Sequence, residues 1–198
     1  MRFNLGGIPD TEDFIPDIAW KPLREPDPWL MQLFALPLGL IAFFGVAALW
    51  FYATPLEAEQ LESGGFLLLG LGAFIPLVVI HELIHAAVHP EFGRSNRSIL
   101  GFWPSRLLFY AHYDGALDRN RFLAIIAMPM IVITFVPLLA AMATGCASEI
   151  IAWASVWNIL FACGDIFGII LVLFQVPCGA TVRNKGWRTY WTISNQPD

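Results

Sequence analysis

Four long, almost unbroken apolar stretches divide the chain: Trp29–Ala53, Phe66–Val88, Phe122–Thr144 and Ile150–Phe174. A helix needs about 20 apolar residues to cross a bilayer, so each stretch is long enough to span one. The pattern predicts an all-α membrane protein of four transmembrane helices, a single integral membrane domain over 1–198 with tails 1–28 and 175–198. The longest gap, His89–Arg121, leaves little room for a separate soluble domain. Within it, Ile99–Trp103 and Leu107–Tyr113 are aliphatic and aromatic runs around Pro104-Ser105, ending at the turn pair Asp114-Gly115. They predict a short β-hairpin or an amphipathic loop between the second and third helices. Asp118 is placed to cap the third helix. Pro76, Pro129 and Pro137 predict kinks inside spans.

Composition agrees with the pattern. Of 198 residues, 57% are hydrophobic and 14% charged, against about 25% charged in an average soluble domain. The net charge of −5 argues against a nucleic-acid binder. Three scattered cysteines, Cys146, Cys163 and Cys178, supply neither a disulfide framework nor a cysteine zinc site. The first 28 residues carry six acids and no compact apolar core, so a cleaved signal peptide is not expected and the first span is expected to remain as an anchor. All eleven basic residues lie before the first span, between the second and third, or after the fourth. Positive charge marks the cytoplasmic side of a cell-membrane protein, so both termini and the long loop are expected there. The loops Thr54–Gly65 and Gly145–Glu149 have no basic residue, and the first holds Glu57, Glu59 and Glu62.

The spans contain four ionisable residues: His81, Glu82, His85 and Asp165. Charge at the bilayer centre costs roughly 2.5–3.5 kcal/mol on insertion scales, which makes such residues functional candidates in need of a partner. His81-Glu82-Leu83-Ile84-His85 is an HExxH pattern. On a helix its histidines lie one turn apart on one face, suited to two ligands of Zn²⁺, while Glu82 is placed to take a proton from a water that the metal polarises. A third ligand must come from elsewhere, and His89, Glu91, His112, Glu149 and Asp165 are the candidates. Val88 and Glu91 stand where a metzincin needs glycine and histidine, His89 precedes helix-ending Pro90, and Glu149 belongs to the opposite surface. His81 and Asp165 each fall fifteen residues into spans of the same direction, at a depth of about 22 Å. Asp165 is the expected ligand, with one zinc per chain. Asn158, two turns before Asp165, is a candidate catalytic residue donating to an oxyanion or to substrate backbone, or else an interhelical hydrogen bonder. Gly164 is read as a point of close backbone approach or simple helix packing, and Cys163 as packing. Tyr110, His112 and Tyr113 are candidates to support an oxyanion or guide substrate, beside their reading as ordinary interfacial aromatics.

These residues resemble the site-2 protease type of intramembrane metalloprotease, in which an HExxH helix pairs with a later helix carrying a metal-binding Asp. More closely, they resemble a zincin peptidase family of small bacterial and archaeal membrane proteins. The shared features are His81-Glu82-Leu83-Ile84-His85-Ala86, Tyr113-Asp114-Gly115, Pro129, Asn158 and Gly164-Asp165. Site-2 proteases usually carry Asp-Gly, whereas this chain has Gly164-Asp165-Ile166. The resemblance implies shared metal chemistry more strongly than a shared substrate.

The expected function is zinc-dependent hydrolysis of peptide bonds in membrane or membrane-proximal substrates. His81, His85 and Asp165 would be ligands, Glu82 the general base, and the site would open to the cytoplasm. The alternatives are a non-catalytic, metal-stabilised scaffold or pseudoprotease, and a cation or proton transporter. The partners expected are a protein or peptide substrate and the lipid bilayer, with no nucleic acid.

Overall fold

The computed structural model describes residues 1–10, 12–54 and 64–193, giving only the backbone over 64–71. The acidic loop after the first span therefore lies mostly outside the described residues. The helices are α1 (Pro28–Ala53), α2 (Gly64–Val88), α3 (Arg119–Pro129), α4 (Val136–Thr144), α5 (Glu149–Phe161) and α6 (Cys163–Gln175). Asp27 caps α1 by accepting from the N–H groups of Trp29 and Leu30 at 2.9 and 3.3 Å. Pro28 follows at the first helical position, where its missing N–H costs nothing. Asp118 caps α3 through the N–H of Arg121 at 2.9 Å.

Two helical segments are long and apolar enough to cross a membrane: Pro28–Ala53, with mean hydropathy 2.2, and Arg119–Thr144, with 2.6. A third is counted if α5 and α6 form one broken span, and Gly72–Val88 is a shorter apolar helix. The expected continuous fourth helix is a bent pair, turning by 50°. The bend is closely packed. α1 meets it at Gly39, where an added Cβ would lie 2.6 Å from the Cβ of Cys163 and 3.2 Å from the carbonyl oxygen of Leu160. Gly39, not Gly164, is the point of close approach, since a Cβ on Gly164 would meet nothing within 4 Å.

The third span is uneven because of its prolines. A π-helical segment, Met130–Phe135, lies between Pro129 and Pro137, and polar side chains of α5 bond to it. Ser155 donates to the carbonyl of Thr134 at 3.1 Å, and Thr134 donates back to the carbonyl of Ser155 at 3.1 Å. Asn158 donates to the carbonyl of Pro129 at 3.2 Å. Side chains of a neighbouring helix thus engage backbone groups that an interrupted ladder leaves available. Around this seam Val46, Trp50, Leu138, Ala152, Val156 and Ile159 form the buried apolar core.

The protein is mostly helical with two small sheets, more strand than the single short hairpin expected beside the helices. The loop hairpin forms as β3 (Ser98–Trp103) and β4 (Leu108–Tyr113), joined by a 3-10 turn at Pro104–Arg106. The N-terminal strand β1 (Arg2–Leu5) adds to it in parallel, in the order β1-β3-β4. The second sheet joins β2 (Lys21–Pro22), β5 (Leu117–Asp118), β6 (Thr181–Lys185) and β7 (Arg188–Thr192) in the order β2-β7-β6-β5. The supposed tails therefore pair with each other and with the long loop. Such pairings between distant segments leave only weak local signals.

Candidate metal centre

The last turns of α2 carry His81, Glu82 and His85, and the first turn of α6 carries Asp165. The bend before α6 aims Asp165 at the α2 histidines. The Nε2 atoms of His81 and His85 lie 3.1 Å apart, and Asp165 Oδ2 lies 3.0 Å from the first and 3.4 Å from the second. Both histidines are buried, and the Asp165 side chain is 21% exposed, on the cavity side.

What stands behind each ring sets its tautomer. His85 Nδ1 is 2.7 Å from the carbonyl oxygen of Ile125, which can only accept, so Nδ1 carries the proton. His81 Nδ1 is 2.8 Å from Asn158 Oδ1. The amide of Asn158 is oriented by its Nδ2, which donates to Pro129 O and to Thr134 Oγ1 at 3.0 Å. With Nδ1 protonated, each ring turns its Nε2 towards the same carboxylate. One extra proton would lie along a single line, whereas a cation at the centre would satisfy all three atoms. For tetrahedral zinc, bonds of about 2.0–2.1 Å place neighbouring donors roughly 3.3 Å apart. The observed separations of 3.0, 3.1 and 3.4 Å fit that spacing. These three residues form a group able to hold a metal ion, and no fourth His, Cys, Asp or Glu joins it among the described residues.

The remaining candidates are placed elsewhere. Glu91 sits in a left-handed turn with φ 57°. His89 is buried, with Nδ1 3.1 Å from Ser98 Oγ. Burial first, then the positive field of His85, His112 and Arg121, pushes its pKa down to about 4. Burial likewise lowers His112 to about 4, with Asp114 opposing the shift and Arg2 adding to it. Glu149 begins α5, outside the metal-binding group. Asn158 is fully buried and commits both amide hydrogens away from the cavity. Of the two roles expected for Asn158, the bonds it makes are those between helices, including the one it accepts from His81 Nδ1.

The Glu82 carboxyl lies beside the backbone N–H of Ala111 on β4. A cavity of about 930 Å³ brings together His81, Glu82, His85 and Asp165 with mostly apolar walls. Its rim includes Ile8 from the N-terminal segment and Asn184 and Trp187 from the C-terminal hairpin. Sequence reasoning missed these rim residues and the backbone partners Ile125 O and Ala111 N–H. A main-chain carbonyl or amide leaves no trace in residue identity.

A mostly helical chain thus gathers two histidines and an aspartate into a group able to hold a metal ion, in the wall of a largely apolar cavity. The chain is a member of the family described as Putative zincin peptidase, whose profile matches residues 74–181. That match covers just over half the chain and includes the whole metal-binding group. It points to a metallopeptidase and to zinc as the ion. No curated protein and no solved structure matches the chain.

Proposed function

We propose that the protein is a zinc metallopeptidase embedded in the cell membrane, with four spanning segments, that cleaves membrane or membrane-proximal polypeptides. One observation carries this reading: two Nε2 lone pairs and a carboxylate oxygen converge within 3.0–3.4 Å in the wall of a cavity that also holds Glu82. His81, His85 and Asp165 would hold the ion. Bound zinc would act as a Lewis acid on the scissile carbonyl and make a water acidic enough to attack near neutral pH. Three protein ligands suit an open, catalytic position better than a closed structural site.

The rest is work for this chain's own groups. Glu82, beside the Ala111 amide, takes a proton from the attacking water. As the water oxygen bonds to the carbonyl carbon and the C–N bond breaks, Glu82 passes that proton to the departing amine. β4 is an edge strand. The N–H of Asp114 bonds the carbonyl of Arg97 at 2.8 Å, so the antiparallel alternation turns the backbones of Phe109, Ala111 and Tyr113 away from β3. An extended substrate can pair along that edge. Every described basic residue lies in or beside a segment tied together by the two sheets, which supports one common, cytoplasmic side for them.

The test uses purified, full-length protein in lipid nanodiscs. Glu82→Gln keeps one zinc per chain and loses cleavage of a fluorogenic peptide pool, while Asp165→Ala loses both. Undiminished cleavage by Glu82→Gln, or wild type without zinc, overturns the proposal.

A further inference from the structure

Of the three loop residues with candidate polar roles, two are accounted for. The Tyr110 hydroxyl accepts from Asn4 Nδ2 at 2.6 Å and points at the carbonyls of Gly6 and Gly7 at 3.3 and 3.1 Å. It fastens the N-terminal strand to the sheet. His112 shares the strand face of Tyr110 by alternation and is buried there. Tyr113 projects from the other face, with Phe109 and Ala111, and lines the cavity that holds His81, Glu82, His85 and Asp165. Its hydroxyl has no hydrogen-bond partner among the described residues and is not among the buried unpaired polar atoms. It is therefore a solvated donor in the cavity wall.

Two neighbours pack against the ring. The His89 ring lies 5.5 Å away, centroid to centroid. Gly115 also abuts it: an added Cβ there would stand 2.6 Å from one ring carbon and 3.3 Å from two more. The φ of Gly115 lies outside the left-handed region, so its backbone does not call for glycine. The Tyr113 ring is what excludes a side chain. His89, in turn, is tied to Ser98 at 3.1 Å. A phenol this confined, with a free hydroxyl two residues along the strand from Ala111 and in the same cavity wall as Glu82, is preorganised to meet a ligand.

We propose that Tyr113 is a substrate-binding residue. Its hydroxyl donates to a main-chain carbonyl of the peptide lying along the β4 edge, and Gly115 is a positioning residue that seats its ring. The assignment rests on the peptidase reading above and deepens it: the ligand is an extended polypeptide segment, recognised through its backbone.

The experiment has two arms. In the first, a fluorescein-labelled, apolar decapeptide taken from the best-cleaved pool member, or from the pool itself if none is cleaved, is titrated against full-length protein carrying Glu82→Gln. Adding Tyr113→Phe is expected to weaken binding about 3–10-fold, the range of one neutral hydrogen bond. With Glu82 intact, the same change should raise KM by a similar factor and leave kcat within about twofold. Unchanged peptide affinity, no peptide binding at all, or a loss confined to kcat overturns the role of Tyr113. Cleavage that survives Glu82→Gln overturns the peptidase reading instead, and the binding titration still decides on Tyr113. In the second arm, Gly115→Ala lowers Tm and peptide affinity in the wild type but adds nothing in a Tyr113→Ala background, where the ring it strikes is gone. Equal effects in both backgrounds overturn the seating role.

Discussion

Two pairs of histidines, one at the bend of α6 and one beneath the β1-β3-β4 sheet, are buried almost equally and prepared for opposite tasks. His81, His85, His89 and His112 are 4%, 6%, 1% and 3% exposed. The first pair has acceptors behind both Nδ1 atoms, so both Nε2 lone pairs meet on a carboxylate. Around the second pair no group of His, Cys, Asp and Glu able to hold a metal forms among the described residues. His89 is tied to a serine hydroxyl, and His112 leaves Nε2 without a hydrogen bond among the described residues. Burial alone thus does not make a histidine a ligand. The acceptors behind the ring and the acid in front of it decide.

The largest effect should separate the pairs. His85→Ala is expected to abolish zinc binding, with cleavage falling by about a thousandfold or more, in line with loss of a core catalytic group. His89→Asn should keep one zinc per chain and lose thermal stability instead. Metal analysis and calorimetry on both variants check this, and zinc loss in His89→Asn would break the contrast.

A smaller effect tests what stands behind the rings. Asn158→Ala removes the acceptor of the His81 Nδ1–H, and such outer partners are typically worth 10–100-fold in metal affinity. Competition with a chelator measures it. An unchanged affinity would mean that helix packing alone orients His81.

The second pair predicts a pH response. The folded pKa of His89 and His112 is about 4, below the ordinary value near 6.5. The neutral forms therefore favour folding. Their contribution is complete above 6.5 and is lost as pH falls from there towards 4, at up to about 3 kcal/mol for each residue. The double variant His89→Asn/His112→Asn should flatten Tm against pH across that window, relative to wild type.

The smallest effect has the opposite sign. Glu25 accepts from the backbone N–H and hydroxyl of Thr189 at 2.5 and 3.1 Å, tying the entrance of α1 to β7. Burial pushes its pKa up to about 7, against the lowering pull of Thr189 and Arg188. Its contribution to stability is complete below about 4.5 and fades as pH rises through 7. Glu25→Gln should remove that slope, and because the residue is partly exposed the change in Tm should be slight. A slope that persists in Glu25→Gln assigns it to another group.

Much of the metal centre was legible because its elements obey local rules. HExxH spacing puts two imidazoles on one helix face whatever surrounds them, and scarcity of charge in the spans singled out Asp165. The depth argument treated the fourth span as straight. It still matched Asp165 to His81, although the chain bends by 50° three residues before the aspartate. Asn158 was legible as a polar residue on the right helix and not as a donor with both hydrogens committed, because the π segment that receives them depends on two prolines and a packed neighbour. The sheets were half legible. The β3–β4 hairpin announces itself through Pro104 and short apolar runs, whereas β1, β2, β6 and β7 are brief polar segments whose partners lie far along the chain.

The sequence by itself determined the apolar segments, the confinement of basic residues to a few loops and tails, and the pairing of an HExxH helix with a late aspartate. These follow from composition and from periods of a few residues. Only the tertiary structure decided that α1 presses a glycine into a bend, that Ile125 and Asn158 fix the imidazole tautomers, and that Ala111 of β4 lies beside Glu82. It also decided that Tyr113 lines the cavity with an uncommitted hydroxyl, while the hydroxyl of Tyr110 is bonded to Asn4 and His112 lies outside the lining. Each of these depends on a backbone group or a strand face, and those are set by which distant segments pack together.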